Sequence, residues 1–299
     1  MEKIYGGQAL FSADTIVSKI ERSIRMKKMM ITAICGVLAL SSCGSTSADS
    51  GIDSGSTRDR REVTESVTAS PVQVKFYDNY PRGYGQGLET DGKNRPTGAL
   101  DFNAKYGKYD ADAIDEKGKK IRLTFDQGYE NGYTEKILDT LKEKKVKAVF
   151  FLVQDYAERN PEIVKRMIKE GHIIGNHSVT HRSMPTLSPE EMQEEINGLN
   201  SYLKEKFGVE PELFRPPMGE YSELSLAVTK QCGCRTMLWS FAYADWDVDD
   251  QPEPSAALER LTGAAHEGAI YLLHSVSATN AEILGDFIDS AREKGFEFY

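Results

Sequence analysis

Cysteine is scarce in this chain, with only Cys35, Cys43, Cys232 and Cys234 among 299 residues. Four cannot staple a fold of this length, so a disulfide scaffold is excluded. An excess of positive charge is also missing: 37 Lys and Arg stand against 46 Asp and Glu, a net charge of -9. A chain of that sign repels phosphate backbones and offers no polybasic patch to anionic lipid, which argues against a nucleic-acid binder. Long apolar runs are absent as well, since the stretch from Met29 to Leu40 falls short of the roughly 20 residues a spanning helix needs. What is present, 39% hydrophobic residues with 28% charged and 9% aromatic, suffices for one large domain or two small ones. Collagen, coiled coil and wholesale disorder are ruled out by the same figures.

The short apolar run has a different use. Met26-Lys27-Lys28 leads into it as the basic flank of a secretory signal, and Leu40-Ser41-Ser42-Cys43 closes it. That closing tetrapeptide resembles the lipobox of bacterial lipoproteins, which implies lipidation of Cys43, cleavage before it and an extracytoplasmic, lipid-anchored protein. A plain signal with an incidental cysteine, or an uncleaved anchor, is the alternative. Residues 1–25 precede a plausible start at Met26 and read as a misassigned start, so residues 1–42 form the leader. Losing them removes six basic and three acidic residues and leaves a charge of -12, so acyl chains rather than charge must hold the protein to a membrane. Residues 43–71, dominated by Ser, Thr, Asp and Gly, have almost nothing to bury and read as a disordered tether with a reach of roughly 30 Å. Residues 72–118 read as an irregular N-terminal arm, with Val72 to Tyr77 as a candidate strand.

From residue 119 to 299 the pattern alternates. Runs rich in β-branched and aromatic residues at 120–125, 147–153, 172–176, 213–214, 235–242, 269–273 and 296–298 predict seven strands. Helices are punctuated between them: Ser188-Pro189-Glu190-Glu191 is a capping box whose helix carries Met192, Ile196, Leu199 and Leu203 on one face, and Thr279-Asn280-Ala281-Glu282 predicts a second such start, ended by Gly295. Strand and helix alternating with short loops predict a parallel α/β sheet, and seven repeats favour a barrel. Asp126, His177, Arg215, Asp245 and His274 each follow a predicted strand, so all five belong to one carboxyl-end rim. His177 and His181, four apart in a chain with only five histidines, suit one divalent cation such as Zn²⁺. Cys232-Gly233-Cys234 lacks zinc-knuckle spacing and reads as core packing.

Thr124-Phe125-Asp126-Gln127-Gly128, His177-Ser178-Val179-Thr180-His181, Arg215-Pro216-Pro217, Asp245-Trp246 and Leu272-Leu273-His274 resemble, in order and spacing, the five motifs of the polysaccharide deacetylases, the NodB-homology domain of carbohydrate esterase family 4. Asp126 through Thr134, His172 through Ser178 and Gly268 through His274 are most similar to the muramic δ-lactam de-N-acetylase branch, which acts on peptidoglycan. The resemblance implies a distorted (β/α)7 barrel over residues 119–299 and a metal-assisted hydrolase of N-acetyl groups. By the same resemblance Asp126 is the general base and Arg215 grips it with a bidentate pair. His274 is the acid for the leaving amine, oriented by Asp245. His177 and His181 hold the metal, and Trp246, Pro217 and Tyr129 contact substrate.

Gln127 departs from the family, whose usual residue there is a second, metal-binding aspartate. A neutral amide is a doubtful ligand and predicts weak, chelator-reversible binding. Three functions follow: de-N-acetylation of peptidoglycan, at N-acetylmuramic acid; the same chemistry on chitooligosaccharide, exopolysaccharide or acetylxylan; and a non-catalytic wall-binding lipoprotein.

Overall fold

The structure, a computed structural model, describes residues 77–299. The leader, the tether, Cys43 and most of the candidate strand at 72–77 lie outside the described residues. Nine strands are present among those described: β1 (Arg82–Gly83), β2 (Ala111–Asp112), β3 (Arg122–Gln127), β4 (Ala148–Leu152), β5 (Ile173–Asn176), β6 (Leu213–Phe214), β7 (Glu220–Tyr221), β8 (Arg235–Met237) and β9 (Ile270–His274). Eight α-helices accompany them: α1 (Thr97–Tyr106), α2 (Thr134–Lys144), α3 (Gln154–Arg159), α4 (Pro161–Lys169), α5 (Pro189–Phe207), α6 (Glu223–Gln231), α7 (Pro254–Gly263) and α8 (Ala278–Glu293). None of these is long and apolar enough to cross a membrane.

Seven strands form one parallel sheet in the order β2-β8-β6-β5-β4-β3-β9. The sheet curls until its ends nearly meet. At the seam the chain beyond β8 reaches β9, with the Ser240 and Phe241 N–H groups donating to the Ile270 carbonyl at 2.9 and 3.1 Å and the Leu272 N–H donating to Phe241 at 2.8 Å. The expected distorted α/β barrel is thus present as a curled half-barrel.

Its strands are not all the expected ones. Residues 296–298 contribute a single bridge, Phe298 to Ile121, and the seventh strand is β2, supplied by the N-terminal arm. Two residues with one apolar side chain carry no periodicity from which a strand can be read. The arm also holds α1 and pairs β1 antiparallel with β7, so it is built into the fold rather than appended. The fifth expected strand ends at Met237 because the chain must turn there toward β9. The last helix begins two residues earlier than expected, capped by Ser277 accepting from the Asn280 N–H; the capping box of Ser188 and Glu191 is present.

Strand alternation divides the core. Leu123 and Phe125 of β3, Phe150 and Leu152 of β4, and Tyr271 and Leu273 of β9 face the outer helices in one cluster. Val149, Phe151, Ile270 and Leu272 face the barrel interior, together with residues of the arm. Thr124, Asp126 and His274 have the interior parity, which is why polar groups end up inside. Gly175 in β5 is required by this packing, because a Cβ there would lie 2.4 Å from the Phe151 ring. That ring in turn lies under the Arg215 guanidinium, 4.2 Å from its centroid.

Gly175→Ala should therefore destabilise the protein by about 1–3 kcal/mol through overpacking, measured as a lower urea midpoint at unchanged slope; a midpoint equal to wild type would contradict this account.

Candidate active site

The carboxyl ends of the strands open into a cleft of about 810 Å³ lined by Asp126, His177, His181, His274, Tyr129 and Trp246, among others. Four separate segments deliver these groups, each at or beyond a strand end as the sequence placement predicts. At its floor lies Arg215, with no exposed surface. All its donor nitrogens are occupied: Nε donates to the Met237 carbonyl at 2.9 Å, Nη2 to the Leu238 carbonyl at 3.0 Å, and Nη1 to Thr124 Oγ1 and Asp126 Oδ1, both at 2.8 Å. The expected bidentate grip is corrected here to a single hydrogen bond. The rest of the guanidinium is taken by the carbonyls at the end of β8, where the chain leaves the sheet. Burial pushes the Asp126 carboxyl upward, but the Arg215 guanidinium, by charge and hydrogen bond, with the nearby imidazoles outweighs it and holds the group below the ordinary carboxylate range. Asp126 is therefore an ionised carboxylate at the cleft, with Oδ2 free of the arginine.

His177 Nδ1 lies 2.8 Å from the Arg215 carbonyl, which assigns the ring proton to that nitrogen and leaves the Nε2 lone pair free, 3.5 Å from Asp126 Oδ2. His181 follows a turn with Ser178 and His181 both in the left-handed region, at φ 74° and 56°. The turn is held by the Ser178 hydroxyl accepting from the His181 N–H at 2.9 Å and by Glu195 of α5 accepting from the Thr180 N–H at 2.8 Å. The two rings meet edge to face, 4.9 Å between centroids. Burial pushes the His177 imidazole down to about 4 and His181 downward too, so both are neutral donors near pH 7.

These neutral imidazoles on one cleft wall, one with its outer nitrogen fixed by a carbonyl behind it, fit a cation held by two protein ligands. Among the described residues no group of three His, Cys, Asp or Glu is arranged to hold a metal. Gln127 does not complete the set. Its side chain has the parity of Phe125, donates from Nε2 to Ser275 Oγ at 2.5 Å, and does not line the cleft. Its Oε1 is buried without a partner.

On the other side of the cleft His274 Nδ1 lies 2.7 Å from Asp245 Oδ1, and the backbone N–H of His274 donates to Asp245 Oδ2 at 2.8 Å. Burial alone would depress this imidazole, but the Asp245 charge and hydrogen bond, with Asp126 beyond, raise it above an ordinary histidine. Trp246 stands over the ring at 5.9 Å, half exposed, and Tyr129 is similarly exposed on the rim. Pro217 is corrected: it is buried and does not line the cleft, because the turn after Arg215 presents Met218, at φ 58°, and Gly219 instead. Cys232 and Cys234 are free thiols away from the cleft, Cys234 packed in a small apolar cluster.

Sequence reasoning missed Tyr84 and Gln86 of the arm and Trp239. Tyr84 donates to the Trp239 carbonyl at 2.6 Å, the Trp239 indole N–H donates to Gln86 Oε1 at 3.0 Å, and all three line the cleft. No motif marks the arm residues; only the rarity of tryptophan singles out Trp239.

The sequence pattern of the polysaccharide deacetylases matches residues 113–237. The peptidoglycan-N-acetylmuramic acid deacetylase PdaA of Bacillus subtilis strain 168 is 42% identical over 205 residues, 68% of this chain and 78% of that protein. The structure of Bacillus subtilis PdaA, a family 4 carbohydrate esterase, matches with a TM-score of 0.70 at 39% identity, over 74% of this chain and 95% of that one. A family 4 carbohydrate esterase from Bacillus anthracis matches with a TM-score of 0.62 at 38% identity, over 75% of this chain and 95% of that one.

The charge states give a pH dependence. With Asp126 as base and His274 as acid, the roles the resemblance implies, activity needs Asp126 ionised and His177 neutral, which holds above about pH 4, and His274 protonated, which is lost as pH rises through a value above 6.5. The expected kcat/KM profile is a bell with its alkaline limb above pH 6.5. An alkaline limb at or below that value would remove His274 as the acid.

Proposed function

This chain belongs to the polysaccharide deacetylases of carbohydrate esterase family 4, which are hydrolases, and we propose that it removes N-acetyl groups from peptidoglycan amino sugars, at N-acetylmuramic acid. The observation that carries the reading is the pair of oppositely tuned groups facing one cleft, Asp126 held toward its ionised form by Arg215 and His274 toward its protonated form by Asp245. The choice of muramic acid is supported by the 42% identity to the peptidoglycan-N-acetylmuramic acid deacetylase of Bacillus subtilis.

Hydrolysis of an acetamide needs a water stripped of a proton and an amine given one. Asp126 takes the proton from water as its oxygen bonds to the acetyl carbon. Arg215 stays bonded to Oδ1 throughout and keeps the carboxylate ionised until that moment. His274 then passes its Nε2 proton to the amide nitrogen as the carbon–nitrogen bond breaks, and acetate and a free amino sugar leave. Asp245 holds Nδ1 during the transfer. Trp246 and Tyr129 cover the sugar and exclude water. A divalent cation, zinc for preference, bound by His177 and His181 would supply Lewis acidity at the acetyl oxygen and the attacking water. With two protein ligands and Gln127 turned away, its affinity is weak.

The protein acts from a lipid anchor on Cys43 at the outer face of the cell membrane. The leader pattern of residues 26–43 and the bare composition of residues 44–71 support this placement.

Acetate release from defined muropeptides, with zinc and with chelator, tests substrate and cation together. Muropeptides should yield acetate with lower turnover in chelator; acetate from chitooligosaccharide alone would transfer the chemistry to another polymer, and full turnover in exhaustive chelator would remove the cation. Asp126→Asn should lower kcat by roughly 100-fold or more while glycan binding and far-UV circular dichroism stay as in wild type. Undiminished turnover in that variant would sink the assignment of the base.

A further inference from the structure

The histidine–aspartate pair has a third member outside every motif so far used. Asp245 is fully buried. Its Oδ1 accepts from His274 Nδ1, and its Oδ2 accepts from the His274 N–H at 2.8 Å and from Asn280 Nδ2 at 2.5 Å. Two of the three donors belong to the residue being oriented. Asn280 is therefore the one group among the described residues that fixes the carboxylate from outside the pair. It sits in the first turn of α8, 1% exposed, with its N–H on the Ser277 cap at 3.0 Å.

An asparagine amide can present either its oxygen or its nitrogen to a neighbour, and here the choice is forced. The Tyr243 hydroxyl donates to Asn280 Oδ1, so Nδ2 must face Asp245, and it also reaches the His274 carbonyl at 3.2 Å. A flipped amide would set its oxygen against a carboxylate and its NH₂ against a hydroxyl that can no longer donate to it. Tyr243 lies at the cleft wall and is buried, so no solvent substitutes for it.

We propose that Asn280, locked by Tyr243, is the positioning residue that holds Asp245 square to His274 and keeps the imidazole Nε2 aimed into the cleft as the proton donor. This deepens the reading of His274 as the acid and rests on it. Truncating Asn280 leaves Asp245 Oδ2 short of a donor and free to turn about its last torsion, which loosens the bond to His274 Nδ1. The other charged groups that act on His274, namely Asp126 and Arg215, make no hydrogen bond to Asn280, so a change at His274 reports the Asp245 side.

The test is a double-mutant cycle on the full chain, with Asn280→Ala, Asp245→Ala and both together, read as kcat and KM for acetate release. Asn280→Ala should lower kcat roughly 10- to 100-fold at nearly constant KM, and should do no further harm once Asp245 is alanine. Losses that simply multiply would overturn the proposal. A readout independent of turnover accompanies it: nuclear magnetic resonance titration of the five histidines, with His274 identified by His274→Gln. The His274 midpoint should fall in Asn280→Ala and, by less, in Tyr243→Phe, which leaves the helix side chain in place should the first variant fold poorly. An unmoved His274 midpoint in Tyr243→Phe and in folded Asn280→Ala would defeat the proposal even if kcat drops. If wild type releases no acetate from any glycan, the titration still decides whether Asn280 acts on His274 through Asp245, and only the reading of His274 as an acid for deacetylation falls.

Discussion

A guanidinium with no exposed surface has to be satisfied entirely by the protein, and Arg215 sets the terms for what surrounds it. Two strands and the end of a third supply its partners. Thr124 and Asp126 come from β3, the Phe151 ring from β4 sits beneath it, and the Met237 and Leu238 carbonyls come from the place where the chain leaves β8. Even Gly175 of β5 belongs to this set, since its missing side chain is what lets the Phe151 ring lie flat there. Breaking a buried pair of this kind by removing one partner costs about 3–5 kcal/mol, because the other charge is left unpaired. Curl of the sheet and ionisation of the base are thus two outcomes of one arrangement. The N-terminal arm joins it at one remove, because Tyr84 and Gln86 pin Trp239, the next residue after the two carbonyls.

Across the cleft the same principle runs with the opposite sign. His177 is buried and His181 partly desolvated at the cleft, neither in close contact with a carboxylate, and both are pushed toward the neutral form, whereas the half-buried His274 lies against Asp245 and is driven toward its charged form. Side chains of identical chemistry are thereby tuned in opposite directions, as the proposed roles of metal-type donor and proton donor require. What separates His177 from His274 is whether a carbonyl or a carboxylate stands behind Nδ1. Gln127 fits this picture by staying out of it. With the parity of Phe125 and a hydrogen bond to Ser275, it serves the outer side of β3, and the cleft keeps a two-imidazole wall.

Much of this was legible in the residues themselves. Asp126, His177, Arg215, Asp245 and His274 read as a single rim because each follows an apolar run, and the geometry brings Asp126, His177 and His274 to one cleft with Arg215 and Asp245 buried against them. Less legible were contacts made by residues with no pattern of their own. The two-residue strand β2, the arm residues Tyr84 and Gln86, and the turn that offers Met218 and hides Pro217 depend on what lies opposite them in space. Asn280 looked like a helix-start residue and is one, but its side chain faces inward to Asp245. A capping position predicts where a backbone N–H goes and is silent on the amide beyond it.

By itself the sequence determined the alternation of strands and helices, the parity that sends Thr124 and Asp126 to one side of β3, and the chemical types gathered at the strand ends, because all three follow from local periodicity. Only the tertiary structure decided how many hydrogen bonds Arg215 gives to Asp126, which histidines are neutral, which way Gln127 faces and that the arm completes the sheet. Each of those depends on burial and on partners far away in the chain, and neither is encoded in spacing.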